Sequence, residues 1–224
     1  MSNDDQDIRR KLEQIQQVVT ILQAMDVRNL PYSQWLTGQA KKNHPLTGAN
    51  QTELDLKQKE IAQLESSNDP SEAAILADEK AELAIMNDKM KLMLELKTAL
   101  DAATGPQAAG DASLSQRVAD LINAIGQDEL KLKQQQVVTL THRIGIRPRA
   151  SQRDLQKLQK LKSGEQYEVK ELKKISPLNQ QIADGVRSGE DLATLTSLRR
   201  RVTHHELLMK LQNEKQLNAR LKKG

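Results

Sequence analysis

Apolar residues recur along this chain at intervals of three and four, and that spacing constrains its fold more than any other feature. Ile8, Leu12, Ile15, Val19 and Leu22 step by four, three, four and three, and Leu114, Val118, Leu121 and Ile125 do the same. Leu83, Met86, Met90, Met93, Leu96 and Leu100 hold one helical face over about five turns. A repeat of this period paints a stripe along an α-helix and gives a strand nothing to alternate. Each seam is two or three heptads long, which favours several packed helices over one long rod. Only Gln136–Val137–Val138–Thr139–Leu140–Thr141 has β-branched character, and it continues a helical pattern.

Helix starts are written into the same sequence. Asp69–Pro70–Ser71–Glu72 puts a capping carboxylate before a proline at the first helical position, and Ser176–Pro177–Leu178 repeats the arrangement with a hydroxyl. A Ser or Thr followed three residues later by an acid or amide occurs at Thr52/Asp55, Ser113/Gln116, Ser151/Asp154, Ser163/Gln166 and Ser188/Asp191. Each such pair can satisfy orphan amide donors at a helix start. Leu30 to Gln51 contains Pro31, Gly38, Pro45 and Gly48, Thr104 to Gly110 reads as a turn, and Ile144 to Ala150 carries Gly145 and Pro148. The spacing predicts an all-α chain, a multi-helix bundle with short coiled-coil segments and a basic helical C-terminal part. It divides into an N-terminal heptad helix (1–29), an irregular linker (30–51), a helical bundle with an acidic centre (52–142) and the basic part (143–224). That last part reads as three short helices over about 152–162, 165–175 and 178–187, then a long one from about 190 onward.

The apolar side chains are of one kind. The 224 residues include no Phe, two Tyr and one Trp, so Leu, Ile, Val, Met and Ala must fill the core. That composition suits thin helix–helix seams better than thick cores built on aromatic rings. There is no Cys, which excludes disulfides and thiolate metal sites. No run approaches the roughly 18 apolar residues of a membrane span. The first thirty residues hold no secretory-type apolar stretch, so a cytoplasmic protein is expected, or one that is virion-associated or exported without a cleaved signal. His44, His142, His204 and His205 never stand four apart on a helix face, and neither a phosphate loop nor a dinucleotide glycine motif occurs. No metal, other cofactor, small-molecule substrate or enzymatic activity is expected, because a heptad-patterned chain nearly free of aromatics offers little for a large concave pocket.

Charge is sorted by position. Residues 1–60 are balanced, residues 61–130 carry five basic against thirteen acidic side chains, and residues 131–224 carry twenty-one against nine. Such asymmetry speaks to partners rather than to fold. Arg143, Arg147, Arg149 and Arg153 flank a Pro-containing segment, Lys170, Lys173 and Lys174 share a helix face, and Arg199, Arg200 and Arg201 are consecutive. These ten are the candidate polyanion-binding residues, able to neutralise phosphates with release of counterions. The alternatives are an acidic protein surface, or the chain's own acidic middle. The two segments joined through Lys162–Ser163–Gly164 have the outline of a helix-turn-helix, with Gln166 and Tyr167 opening the second helix. Tyr32 and Trp35 form the one aromatic cluster, either an anchor for a partner or a cap folded back on the bundle. Met86, Met90 and Met93 read as core, with an adaptable partner groove as the other reading.

A non-enzymatic assembly or adaptor protein is the leading expectation, self-associating or docking through its helices and engaging nucleic acid through the basic half. An accessory factor of replication or transcription, and a purely structural coiled-coil subunit whose basic end meets the acidic middle of another copy, are the alternatives. Heptads, an acidic centre, a basic end and few aromatics together resemble viral scaffolding or virion-associated proteins and the coiled-coil subunits of secretion apparatus. The resemblance is one of composition and carries no residues over. A homo-oligomer or larger assembly is expected.

Overall fold

The computed structural model describes residues 3–26, 29–67, 69–105, 111–146 and 151–221. They form six long helices: α1 (Asn3–Asp26), α2 (Tyr32–Ser66), α3 (Ala73–Ala103), α4 (Ala112–Gly145), α5 (Gln152–Ser188) and α6 (Leu192–Leu221). A single 3₁₀ turn, Pro70–Glu72, leads into α3, and no strand occurs among the described residues.

Cross-helix pairs give the topology. Met25 lies against Gly38 and Gln14 against Gly48, so α2 runs back along α1. Lys57 meets Glu79 while Asn43 reaches the Met93 carbonyl on α3. Asp78 meets His142 and Lys89 meets Glu129, which sets α4 antiparallel to α3. Asp120 with Arg187, and Lys133 with Glu165, fix α5 against α4. Gln216 covers Gly164 and Leu195 covers Gly185, which returns α6 along α5. Finally Gln16 binds Glu214 and His204 binds Asp26, so α6 packs antiparallel on α1. Six up-and-down helices therefore close into a ring around a central axis.

The core is divided accordingly. One cluster joins Met25, Trp35, Leu36, Leu96, Leu100, Val118 and Leu121 at the end where α1 meets α2. A second joins Leu172, Ile175, Leu178, Ile182, Val202 and Met209 on α5 and α6, a third Ile8, Leu12, Ile15, Val19 and Leu217 on α1 and α6, and a small fourth Leu54, Met86 and Leu132. The heptad positions of α1 are thus its buried stripe, and Met86, Met90 and Met93 are buried core rather than an open groove.

Two expected breaks are helix instead. The stretch 30–51 forms no irregular linker: from Tyr32 it belongs to α2, which continues through Pro45. An internal proline costs about 3 kcal/mol in a helix, and here burial on both sides of it, at Trp35, Leu36, Leu54 and Ile61, offsets that cost. The apolar period is missing from this stretch because much of its inward face is polar: Gln39, Lys42, Asn43, Asn50 and Thr52 are all buried. Likewise the three short helices of 152–187 are one helix, α5, with Pro177 exposed on its outer side. Gly164 is no turn. It lies mid-helix where α6 approaches so closely that a Cβ would collide with the Gln216 carboxamide. No helix-turn-helix exists here.

The caps sort in the same way. Ser151 caps α5, accepting from the Asp154 amide at 3.2 Å and donating its hydroxyl to the Asp154 carboxylate at 2.7 Å. Asp111 caps α4 and Asp191 caps α6, rather than Ser113 and Ser188. Thr52 and Ser163 lie inside helices, where their hydroxyls donate back to the carbonyls of Gly48 and Gln159. α5 ends at Gly189, whose φ of 73° only glycine adopts without strain, with the Glu190 amide donating to the Gly185 carbonyl at 2.8 Å.

Candidate functional site

The ten cations singled out in the sequence fall into separate environments. Arg143 is half-buried and turned inward, pairing with Glu60 and with Glu79 at 2.5 Å. Arg199 is buried, its guanidinium carbon 4.4 Å from the Tyr32 ring centroid and 4.9 Å from that of Trp35. Both side chains are thus engaged within the chain. Lys174 is exposed and paired with Glu171 at 2.8 Å, whereas Arg153, Lys170, Lys173, Arg200 and Arg201 are exposed and make no ion pair among the described residues. Arg147 and Arg149 lie outside the described residues. The aromatic cluster is folded back: Trp35 is buried in the core and stacks on Tyr32 at 5.8 Å, so these two rings are engaged within the chain rather than presented to a partner. Gln166 is exposed and Tyr167 half-buried, both in mid-helix, where they open no recognition helix.

Exposed cations without ion pairs among the described residues nevertheless concentrate on α5 and α6, which are neighbours in the ring. Lys160 and Lys215 join the five free cations there, while the exposed acids of the same stretch are Asp184, Glu190 and Asp191. By contrast, the exposed charges of α3 and α4 are mixed in sign: Lys80, Lys91, Lys97, Arg117 and Lys131 against Asp88, Glu95, Asp101, Asp111 and Asp120. Near the start of α6 a surface cleft of about 850 Å³ contains Arg200, Arg201, His204 and His205.

The larger surprise is inside the ring, where ionisable side chains meet from all six helices. At the end where α1 begins, Lys57 donates to Glu79 and, at 2.6 Å, to Glu82, and Arg143 completes the group with Glu60. Burial alone would depress the Lys57 ammonium, but Glu82, Glu60 and Glu79 outweigh it and raise its pKa. For Glu82, burial and the neighbouring Glu79 prevail over Lys57 and raise the carboxyl. The Thr139 hydroxyl lies between the Gln135 carbonyl, at 3.0 Å, and the Glu82 carboxyl, and can donate to either.

Deeper in, Lys133 pairs with Glu165 at 2.9 Å and Glu168 at 3.1 Å, Lys11 with Glu53 at 2.9 Å, Lys42 with Glu206 at 2.8 Å, and Lys89 with Glu129 at 2.5 Å. Burial would raise Glu129, yet Lys89, Lys210 and Lys133 hold it down at about 2. Glu53 is likewise held well below its ordinary value, against burial, by Lys11, Lys133 and Lys89. Glu168 goes the other way. It is fully buried, and burial together with Glu165 and Glu129 overcomes Lys133 and Lys210 to lift it to about 7.

Two spaces follow the axis. A mouth of about 420 Å³ opens among Lys57, Glu60, Glu82, Arg143, Leu161 and Arg220. Within the ring, a chamber of about 80 Å³ has mostly apolar walls contributed by every helix. Lys210 lines that chamber and makes no hydrogen bond among the described residues, its nearest carboxylate being Glu129 at 4.0 Å. Burial lowers its pKa in spite of Glu129 and Glu168. Asn179, also lining the chamber and buried, leaves its side-chain oxygen unpartnered.

Little in the linear pattern points to this interior, and the concave space along the axis comes from ring closure rather than from aromatic bulk. Lysines and glutamates at mid-helix read as solvated faces until the partner helix is known. The readable trace was the polar face of residues 39–53, too long and too free of helix breakers beyond Pro45 and Gly48 to be a loop. Comparison with protein-family models, with curated proteins and with solved structures finds no match to this chain.

Proposed function

We propose that this protein is a non-enzymatic assembly or adaptor module that docks on a polyanion, nucleic acid foremost, through the outer wall formed by α5 and α6. The observation that carries this reading is the set of exposed cations without ion-pair partners among the described residues on two adjacent helices, Arg153, Lys160, Lys170, Lys173, Arg200, Arg201 and Lys215, set against few exposed acids. A phosphate backbone would meet these side chains with little competition from the chain's own carboxylates, and each phosphate neutralised releases counterions. The opposite charge blocks of the sequence are in part matched within one chain, Arg143 with Glu79 and Arg187 with Asp120. That pairing disfavours a head-to-tail assembly built on exchanging those blocks.

Fluorescence anisotropy of labelled single- and double-stranded DNA and RNA, titrated with the full chain at several salt concentrations, tests the reading. The expected result is binding whose logarithm falls linearly with the logarithm of salt, by about 0.9 per phosphate contacted on a duplex. The double changes Lys170→Glu/Lys173→Glu and Arg200→Glu/Arg201→Glu should each weaken binding and flatten that slope. Binding unaffected by both, or absent at low salt, overturns the proposal and moves the wall to an acidic protein partner.

A further inference from the structure

The chamber inside the ring presents a buried ammonium, Lys210, whose one carboxylate contact among the described residues is a long 4.0 Å approach to Glu129, a carboxylate that also takes Lys89 at 2.5 Å. Its charged lining comprises Lys42, Lys89 and Lys210 against Glu129 and Glu206. Lys42 takes Glu206 and Lys89 takes Glu129, which leaves Lys210 as the surplus cation. A buried ammonium lacking an acceptor is costly, and the side-chain oxygen of Asn179 is a second buried polar atom in the same chamber with its bonding unmet. The remaining wall is aliphatic, with Met93, Leu96, Ile122, Leu172 and Met209 among its members.

We propose that the chamber is a binding site for a small organic anion, a short-chain carboxylate whose head group takes the Lys210 ammonium and whose aliphatic body lies against these apolar side chains. Size sets the chain length. An apolar cavity of about 150 Å³ admits benzene, and this one, at about 80 Å³, has room for roughly two to four carbon atoms. The mouth at one end of the axis carries Lys11, Lys57, Lys59, Lys133, Arg143 and Arg220 against five glutamates and so does not repel an anion. The site is independent of the α5–α6 wall, because Lys210 is buried among the helices and the wall cations are exposed on the outside.

Thermal unfolding of the full chain with acetate, propionate, butyrate and hexanoate, each against the alcohol of equal chain length and against equal sodium chloride, tests this. One of the shorter acids should raise Tm by about 5–10 °C at a hundredfold excess over Kd, with hexanoate, the alcohols and chloride much less effective. Lys210→Met, which keeps a linear chain of similar bulk, should abolish the shift, and Arg200→Glu/Arg201→Glu should leave it intact. Absence of any carboxylate shift, an equal shift from the alcohols, or a full shift in Lys210→Met overturns the proposal. Should Lys210→Met fail to fold, the contrast between acids and alcohols on the unaltered protein decides. Loss of the shift in the Arg200/Arg201 variant assigns the anion to the outer wall instead, which also overturns it.

Discussion

Replacing Glu168 by Gln should stabilise the protein at pH 8 and do almost nothing at pH 5. Glu168 has no exposed surface; one carboxyl oxygen accepts from Asn213 at 3.3 Å and lies 3.1 Å from Lys133, and the other has no partner. From α4 it faces Lys133 and Glu129, from its own helix Glu165, and from α6 Lys210 and Asn213. Its folded pKa of about 7 stands above the ordinary 4.5, so between those values the native chain binds a proton that the unfolded chain does not. Stability attributable to this group therefore falls as pH rises from about 4.5 to 7 and stays low above. At 1.36 kcal/mol per unit the full penalty is about 3 kcal/mol. Glutamine mimics the neutral acid and escapes that penalty, keeping its carbonyl for Asn213, while Lys133 retains Glu165 at 2.9 Å. Urea denaturation of both proteins at pH 5 and pH 8 isolates the effect, because Glu53, Glu60, Glu129 and the other titrating groups are common to both and largely cancel in the difference. The variant's advantage should grow by about 2–3 kcal/mol from pH 5 to pH 8 at unchanged m-value. If Glu168→Gln instead costs at pH 8 the roughly 3–5 kcal/mol of a broken buried ion pair, ionised Glu168 is stabilised by Lys133 rather than penalised by burial, its folded pKa is not raised, and the reasoning is wrong.

Two further outcomes follow from the packing. Arg143→Met leaves Glu60 and the buried Glu79 with Lys57 alone, and should cost about 3 kcal/mol near pH 7 by urea denaturation. Glu60 is held below its ordinary value against burial by Lys57 and Arg143, so the favourable contribution lost with Arg143 is present above the carboxylate range and disappears as pH falls through it. An undiminished cost at pH 3.5 would refute that assignment. Gly189→Ala should cost about 1–2 kcal/mol purely through its left-handed backbone, since no atom lies within 4 Å of the added methyl, and Gly189→Asn should recover part of the loss. Equal midpoints for all three would show that α5 does not end in that conformation.

What was legible in the sequence was whatever depends on one helix at a time. The stripes of α1, α3 and α4 emerge where their apolar residues stand at heptad spacing, because these faces are buried against neighbours in the ordinary apolar way. Ser151 with Asp154 could be read as a cap because both partners lie within one turn. What depends on the neighbour was hidden. Residues 30–51 looked irregular since the ring turns part of α2 toward polar groups on other helices. Gly164 looked like a turn, yet its reason lies on α6, 52 residues away at Gln216. Arg143 and Arg199 looked like phosphate ligands because an arginine's destination, carboxylates in one case and two aromatic rings in the other, is a tertiary fact.

The charged interior and the scarcity of aromatics have a common physical origin. Six helices around an axis leave a central space that their seam residues, Leu, Ile, Val and Met, do not reach across. A chain with Phe and Trp could plug it with rings that bury about 150–250 Å² each; this chain has none to place there, its one Trp lying at the α1–α2 end. Lysine and glutamate are the long side chains it has in quantity, and they fill the axis with aliphatic stems while their heads pair across it. Such pairing also sets register. Lys133 meets Glu165 and Glu168 at one relative height of α4 and α5, and a slip of one turn, about 5.4 Å, would separate them and leave charges buried alone. Apolar seams of interchangeable Leu and Ile tolerate such a slip far better. The ion pairs therefore contribute more to which ring forms than to how stable it is. Lys210 is the most weakly paired member of this set, 4.0 Å from a Glu129 that Lys89 already holds, and the proposed anion site follows from that shortfall.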